Sequence, residues 1–331
     1  MTGMRIAGAS ISTSLKSLPL LEIDAIENQL IWSGLMAKFL IGVDGGGTGC
    51  RAAVADLSGT VLGEGKSGAA NIVTDLHGAL TNIRQAVALA FAQAGLTEQS
   101  FCQSFAFLGL AGANVAGASN QVAQLLPFAQ SDVASDGIIA LQGALGDQDG
   151  AVAILGTGTA YIFRQNGSIR FFGGWGFPLS DLGSGARLGR SLLQECLLVY
   201  DGIHAASPLT AAILQEFDNS PEKFVEFGRT AVPGDYGKFA PRVFEYAKRG
   251  DATAKQLLER SSDHIRQTLD MLITHGAPRI SLLGGLAKYY ADYLPEHQRK
   301  MLAAPAADAL TGALQLAHKS FLSRSTSSMS A

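Results

Sequence analysis

Three glycine turns of this sequence, two of them with hydroxyl residues and one also with a carboxylate, have patterns that could hold a phosphorylated ligand. The first is Asp44-Gly45-Gly46-Gly47-Thr48, directly after the apolar run FLIGV. Glycine there lets backbone N–H groups approach an anion that a Cβ would keep away. Asp44 adds a hard carboxylate suited to Mg2+, usually through water, and Thr48 a hydroxyl suited to phosphate oxygens. A plain tight hairpin, with Asp44 accepting from local N–H groups, is the other use of such residues. No Gly-Lys-Ser/Thr follows, so this is not a P-loop; a strand rather than a helix follows, so it is not a dinucleotide fingerprint. Gly156-Thr157-Gly158-Thr159 repeats the theme after AVAIL. Gly284-Gly285 follows ISLL and offers flat backbone on which a purine could lie, or simply a close helix-on-strand contact.

These turns need strands to carry them. FLIGVDGGGTGCRAAVADLSGTVLGEG reads as a three-stranded meander, with a helix expected over 74–94, stopped by Gly95, and a buried strand over 104–108. AVAILGTGTAYIFRQNGSIRFFGG repeats strand, Gly/Thr turn, strand, Asn166-Gly167 turn, strand. Helices are expected over 186–199 and 252–275, and RISLLGGLAKYY reads as a strand, a glycine pair and a helix. Two similar α/β halves explain the repetition, and the matching turns could then clamp one polyphosphate. No low-complexity linker separates them.

Composition narrows the functional classes. Lys+Arg 25 against Asp+Glu 28 leaves a net charge of −3 with no block of like charges, so neither nucleic acid nor an anionic membrane is an electrostatically favoured partner. Mean hydropathy is +0.19, yet the most apolar stretches are glycine-broken and shorter than the ~18 to 20 residues of a spanning helix. Three cysteines, Cys50, Cys102 and Cys196, form no CxxC pair and fit a reducing, cytoplasmic setting. The six histidines never fall at i, i+3 or i+4 spacing, which disfavours a transition-metal site. Residues 1–35 lack the features of a secretory signal. They read as an extension ahead of an internal methionine, Met36, with a docked helix around 21–31 as the alternative.

The three turns, in this order, resemble the phosphate-1, phosphate-2 and adenosine motifs of the actin-like ATPase superfamily of sugar kinases. DGGGTGCRAAVAD, SGAANI, LGTGTAYI, GGWGFPLSDLGSGARLG, DGIHAASPLT and TAVPGDYGKFAP together look like the bacterial glucosamine kinase and N-acetylglucosamine kinase branch of the BadF/BadG/BcrA/BcrD-type ATPases, over about residues 38–318. The resemblance implies an α/β fold with two ribonuclease-H-like domains flanking a nucleotide and sugar cleft. It places the first domain at 36–146 plus 305–322 and the second at 147–304. It implies a homodimer that uses ATP and Mg2+ to phosphorylate the 6-hydroxyl of an amino sugar.

Roles follow by resemblance onto these residues. Gly45, Gly46, Gly47, Thr48, Gly156, Thr157 and Gly158 would hold phosphates, Gly284 and Gly285 the adenosine, and Asp44 the metal. Asp136, in SDVASDGIIALQGAL, matches the catalytic aspartate that takes the proton of the attacking hydroxyl. As residue chemistry alone it could equally be a helix N-cap, worth about 1 kcal/mol, and Asp132 is the fallback base. Asn71 and Asp181 match sugar-binding positions, with Gly174 and Trp175 beside them. Turn roles compete for both, and Asp181 could also cap a helix starting near Ser184. Trp175 could pack on an acetyl methyl, lie on a sugar face or anchor a core. The similarity as a whole favours glucosamine, with N-acetylglucosamine as the alternative. An ATPase activator of an acyl-CoA reductase shares the nucleotide motifs but needs cluster-binding cysteines, which this spacing fits poorly. A sugar-responsive repressor would need a basic helix-turn-helix in front, for which residues 1–35 are too short.

Overall fold

FLIGVDG and CRAAVAD are apolar and β-branched enough to bury both faces, and they form the centre of the first sheet. The computed structural model describes residues 37–114 and 118–328; the expected extension and the helix weighed at 21–31 lie outside the described residues. In chain order come β1 (Phe39–Gly45), β2 (Cys50–Asp56), β3 (Val61–Ser67), α1 (Leu76–Gln93), β4 (Ser104–Leu110), α2 (Ala118–Leu125) and β5 (Gln130–Ser135). The sheet order is β3-β2-β1-β4-β5. β1 pairs antiparallel with β2, setting Asp44 opposite Arg51 and Gly45 opposite Cys50, and parallel with β4. Helix α1 begins where the Asp75 side chain accepts from Gly78 N at 2.9 Å and ends before Gly95, whose φ is +72°. It buries Ala79, Ile83, Ala86, Val87, Ala90 and Phe91 at the spacing of one helical face. Burying Phe91 alone contributes about 2 kcal/mol.

The chain continues with α3 (Asp136–Leu145), β6 (Gly150–Leu155), β7 (Thr159–Gln165), β8 (Ser168–Gly173), α4 (Gly185–Tyr200), α5 (Pro208–Glu216), α6 (Pro221–Thr230), α7 (Pro233–Gly237), α8 (Ala240–Lys248) and α9 (Ala252–Thr274). It ends with β9 (Ile280–Leu283), α10 (Ala287–Tyr290), α11 (Glu296–Arg299) and α12 (Ala309–Ser328). The second sheet runs β8-β7-β6-β9, with β6 antiparallel to β7 and parallel to β9. Asn166 and Gly167 close the β7–β8 hairpin with φ of 51° and 77°, the two left-handed residues of a type I′ turn. Helices α4, α8 and α9 bury Leu192, Phe244 and Leu269 in one core with Phe163 of β7.

The chain divides into two compact units, at Ala134/Ser135 and at Ala313/Leu314. Helix α3 was expected with the first domain, and it groups with the second. Its Leu141, Ala144 and Leu145 pack on Val152 and Ile162 of the second sheet. The stretch before α12 follows it, because Ala306 N donates to Ala144 O at 2.9 Å and Ala307 N to Gly143 O at 2.8 Å. No helix among the described residues is long and apolar enough to cross a membrane.

Candidate active site

The first glycine turn is built by backbone bonds on both sides. Gly46 N donates to Gly49 O at 2.9 Å, closing the hairpin. Ala70 N donates to Gly46 O at 2.9 Å and Ala111 N to Gly45 O at 2.8 Å, so SGAANI and the end of β4 brace it. A Cβ at Gly45 would lie 2.6 Å from Leu110 Cδ2 and 3.0 Å from Ala70 Cβ, whereas one at Gly47 would meet nothing within 4 Å. Gly45 is therefore required by packing, and Gly47 leaves backbone open to a ligand. Asp44 stands at the base of the turn, where Arg51 Nη2 donates to its Oδ2 at 2.7 Å.

In the second unit, Gly156 N donates to Gly158 O at 3.0 Å. The start of α4 docks on this turn: Gly185 N donates to Gly156 O at 2.8 Å and Ala186 N to Thr157 O at 3.2 Å. The positive end of the helix thus lies beside the turn, which favours an anion there. Ser184 caps α4, its hydroxyl accepting from Arg187 N at 3.2 Å. Asp181 does not cap the helix; its carboxyl turns to the glycine turn instead, with Oδ2 3.0 Å from where a Cβ on Gly158 would sit. Its backbone is in the left-handed region, φ +58°. Burial raises its pKa above the ordinary carboxyl value, while the Gly176 N–H, the Arg187 guanidinium and the Thr159 N–H pull the other way.

Gly284 has φ +91°, and a Cβ there would lie 2.4 Å from Leu155 O. Leu286 N donates to that same carbonyl at 3.0 Å, locking the turn to the end of β6. Gly285, by contrast, has nothing within 4 Å of a Cβ. It opens on a cavity of about 560 Å³ lined by Leu282, Gly284, Gly285, Lys288, Ala304 and Pro305, mostly apolar and of a size for a small ligand.

Asp136 is the first residue of α3. Ser135 is the cap, accepting from Gly137 N at 3.2 Å, so Asp136 is not needed as one. Its Oδ1 accepts from Gly137 N at 2.9 Å and Ser135 Oγ at 3.1 Å, which fixes a part-buried carboxylate. Asp132 pairs with Arg324 of α12 at 2.5 Å, a structural use. Asn71 Oδ1 accepts from Val73 N at 3.0 Å and Thr74 N at 3.3 Å, so its oxygen serves a turn and its NH2 is what it can offer a sugar. Gly173, Gly174 and Gly176 all have positive φ around Trp175, which is 76% exposed and no core anchor. Leu179, further along the same loop, is 91% exposed.

Within the first unit the structure brings together Asp44, Gly45, Gly46 and the brace that carries Asn71. Within the second it brings Gly156, Thr157 and Gly158 against Asp181, and Gly284 against the end of β6. Sequence reasoning passed over Arg51, Ser184 and Lys288. Arg51 was findable, since the hairpin register that pairs Gly45 with Cys50 pairs it with Asp44.

The BadF/BadG/BcrA/BcrD ATPase family pattern matches residues 41–317. The chain belongs to that family. Among curated proteins, glucosamine kinase GspK of Vibrio cholerae is 37% identical over 283 residues, 85% of this chain and 96% of that protein. The N-acetylmuramic acid/N-acetylglucosamine kinase of Clostridium acetobutylicum is 25% identical, covering 80% of this chain and 90% of that one. Among solved structures, a candidate N-acetylglucosamine kinase from Chromobacterium violaceum superimposes with a TM-score of 0.80 at 33% identity, covering 85% of this chain and 99% of that one. The mixed α/β fold with two sheets is that of the BadF-type, actin-like ATPases.

Proposed function

We propose that the chain is an ATP-dependent amino-sugar kinase that converts glucosamine and ATP to glucosamine 6-phosphate and ADP, acting on chitin-derived sugar in the cytoplasm as a homodimer. The observation that carries this reading is the 37% identity to a glucosamine kinase across 96% of that protein's length. Asp136 accepts the proton of the 6-hydroxyl as its oxygen bonds to the γ-phosphorus and the bond to ADP breaks. The glycine turns of residues 45–48 and 156–158 bind phosphates, and the cavity beside Gly285 takes the adenosine. Asn71, Gly174, Trp175 and Asp181 bind the sugar. We read the two units as the two ribonuclease-H-like domains of the fold, with α3 belonging to the second.

Among the described residues no three His, Cys, Asp or Glu side chains cluster as a metal cage. Mg2+ fits this donor set in its usual way, held by one carboxylate, water and the nucleotide's own phosphates. Asp44 is that carboxylate, oriented by Arg51. When bound, Mg2+ supplies neutralisation of charge on the transferring phosphoryl oxygens.

N-acetylglucosamine is the second reading, favoured by the exposed Trp175, whose indole could cover an acetyl methyl. An iron–sulfur activator is disfavoured, since Cys50 and Cys196 are buried in two separate hydrophobic cores rather than gathered as cluster ligands. The test is ADP formation by the wild type with glucosamine, N-acetylglucosamine, glucose and mannosamine. Glucosamine is expected to give the highest kcat/KM, and no turnover with any hexose would sink the kinase reading.

A further inference from the structure

The second unit places a carboxylate where an anion is unwelcome. A phosphate-binding turn lined with N–H groups attracts negative charge, yet Asp181 lies against Gly158 of that turn. The carboxylate is unevenly compensated: the Gly176 and Thr159 N–H groups and the Arg187 guanidinium favour its charge, but its Oδ1 is buried with no hydrogen-bond partner. Thr159 Oγ1, in the same turn, is also buried without a partner, the residue being 3% exposed. Burial raises the Asp181 pKa, as expected of a charge short of partners. The left-handed backbone of a non-glycine residue, φ +58°, adds strain of the kind that folds retain at functional positions. The Gly176 and Thr159 N–H groups both bond the carboxyl, one from the Trp175 loop and one from the turn.

We propose that Asp181 is the residue through which sugar binding controls nucleotide binding. With no sugar present, its incompletely compensated charge opposes the nucleotide's phosphates at the Gly156–Gly158 turn. A sugar that donates a hydroxyl or ammonium hydrogen bond to Asp181 compensates that charge, and the nucleotide then binds more tightly. The coupling rests on the amino-sugar kinase reading, but its electrostatic half is measurable without any sugar.

The experiment is calorimetric titration of the full chain with a non-hydrolysable ATP analogue, with and without saturating glucosamine, for the wild type, Asp181→Asn and Asp181→Ser. In the wild type, glucosamine is expected to tighten the analogue by about fivefold or more, the lower end of ordinary coupling. In both variants the sugar-free affinity should exceed the wild type's by about threefold or more, since a removed charge no longer repels phosphate. The sugar effect should shrink to less than about twofold. Damage to the loop would lower sugar-free nucleotide affinity, the opposite sign. A sugar-free affinity equal to or below the wild type's in both variants, or a sugar effect that survives in them, overturns the proposal. The kinase reading fails on a different result, the absence of turnover by the wild type.

Discussion

Arg51 reaches across the β1–β2 hairpin to Asp44, its Nη2 donating to Oδ2 at 2.7 Å and its Nε to the same oxygen at 3.2 Å. The two side chains are 37% and 21% exposed, so the pair adds only about 0.5 kcal/mol to stability. Its importance is orientation: the carboxylate is held at the base of a turn whose open glycine, Gly47, would meet no atom within 4 Å of a Cβ. Asp44→Asn should raise the half-saturating Mg2+ concentration for turnover by about tenfold or more, with the sugar KM moving less than about twofold. An unchanged Mg2+ titration would remove Asp44 from the metal site.

Neighbouring glycines should respond differently to the same substitution. Gly284→Ala forces a Cβ to within 2.4 Å of Leu155 O at a φ of +91° and should cost more than about 2 kcal/mol in urea unfolding. Gly285→Ala meets no atom within 4 Å and should leave the unfolding midpoint unchanged while raising the KM for ATP. Equal stability losses in the two variants would contradict the division between a packing glycine and a cavity glycine.

Asp136→Asn should lower kcat by about 10²-fold or more, the usual contribution of a general base, with sugar affinity changing far less. Ser135 still caps α3 in this variant, so the melting temperature should move by only a few degrees. Activity retained to within about tenfold, ~1.4 kcal/mol, would show that another group takes the proton.

Much of this was legible in the residues because glycine and strand period speak directly about backbone. The two hairpins, the glycine pair after ISLL and the amphipathic face of α1 all follow from local spacing. The allegiance of α3 did not, because IIALQGAL is apolar on every side and does not say which sheet it covers. The direction of the Asp181 carboxyl was hidden for a different reason. It depends on a left-handed backbone at a non-glycine residue, which sequence pattern does not announce, and Ser184 was as good a cap candidate three residues on.

The cysteines give a check on the two cores. Cys50 and Cys196 are buried, and burial pushes both thiols up to about 12. A raised pKa leaves almost no thiolate at pH 8, so neither should react with a disulfide reagent in the native state. Cys102 is exposed and should react alone. One fast thiol before denaturation and three after it is the expected count, read by thionitrobenzoate release; two or three fast native thiols would contradict the packing described around β2 and α4.

The most direct measurement is the chemical identity of the product. Incubating the protein with ATP, Mg2+ and glucosamine and following the phosphorus and proton NMR spectra should show one new phosphomonoester, coupled to the sugar's C6 protons and formed one-for-one with ADP. Ester at another hydroxyl, or ADP released with only inorganic phosphate, would contradict the account.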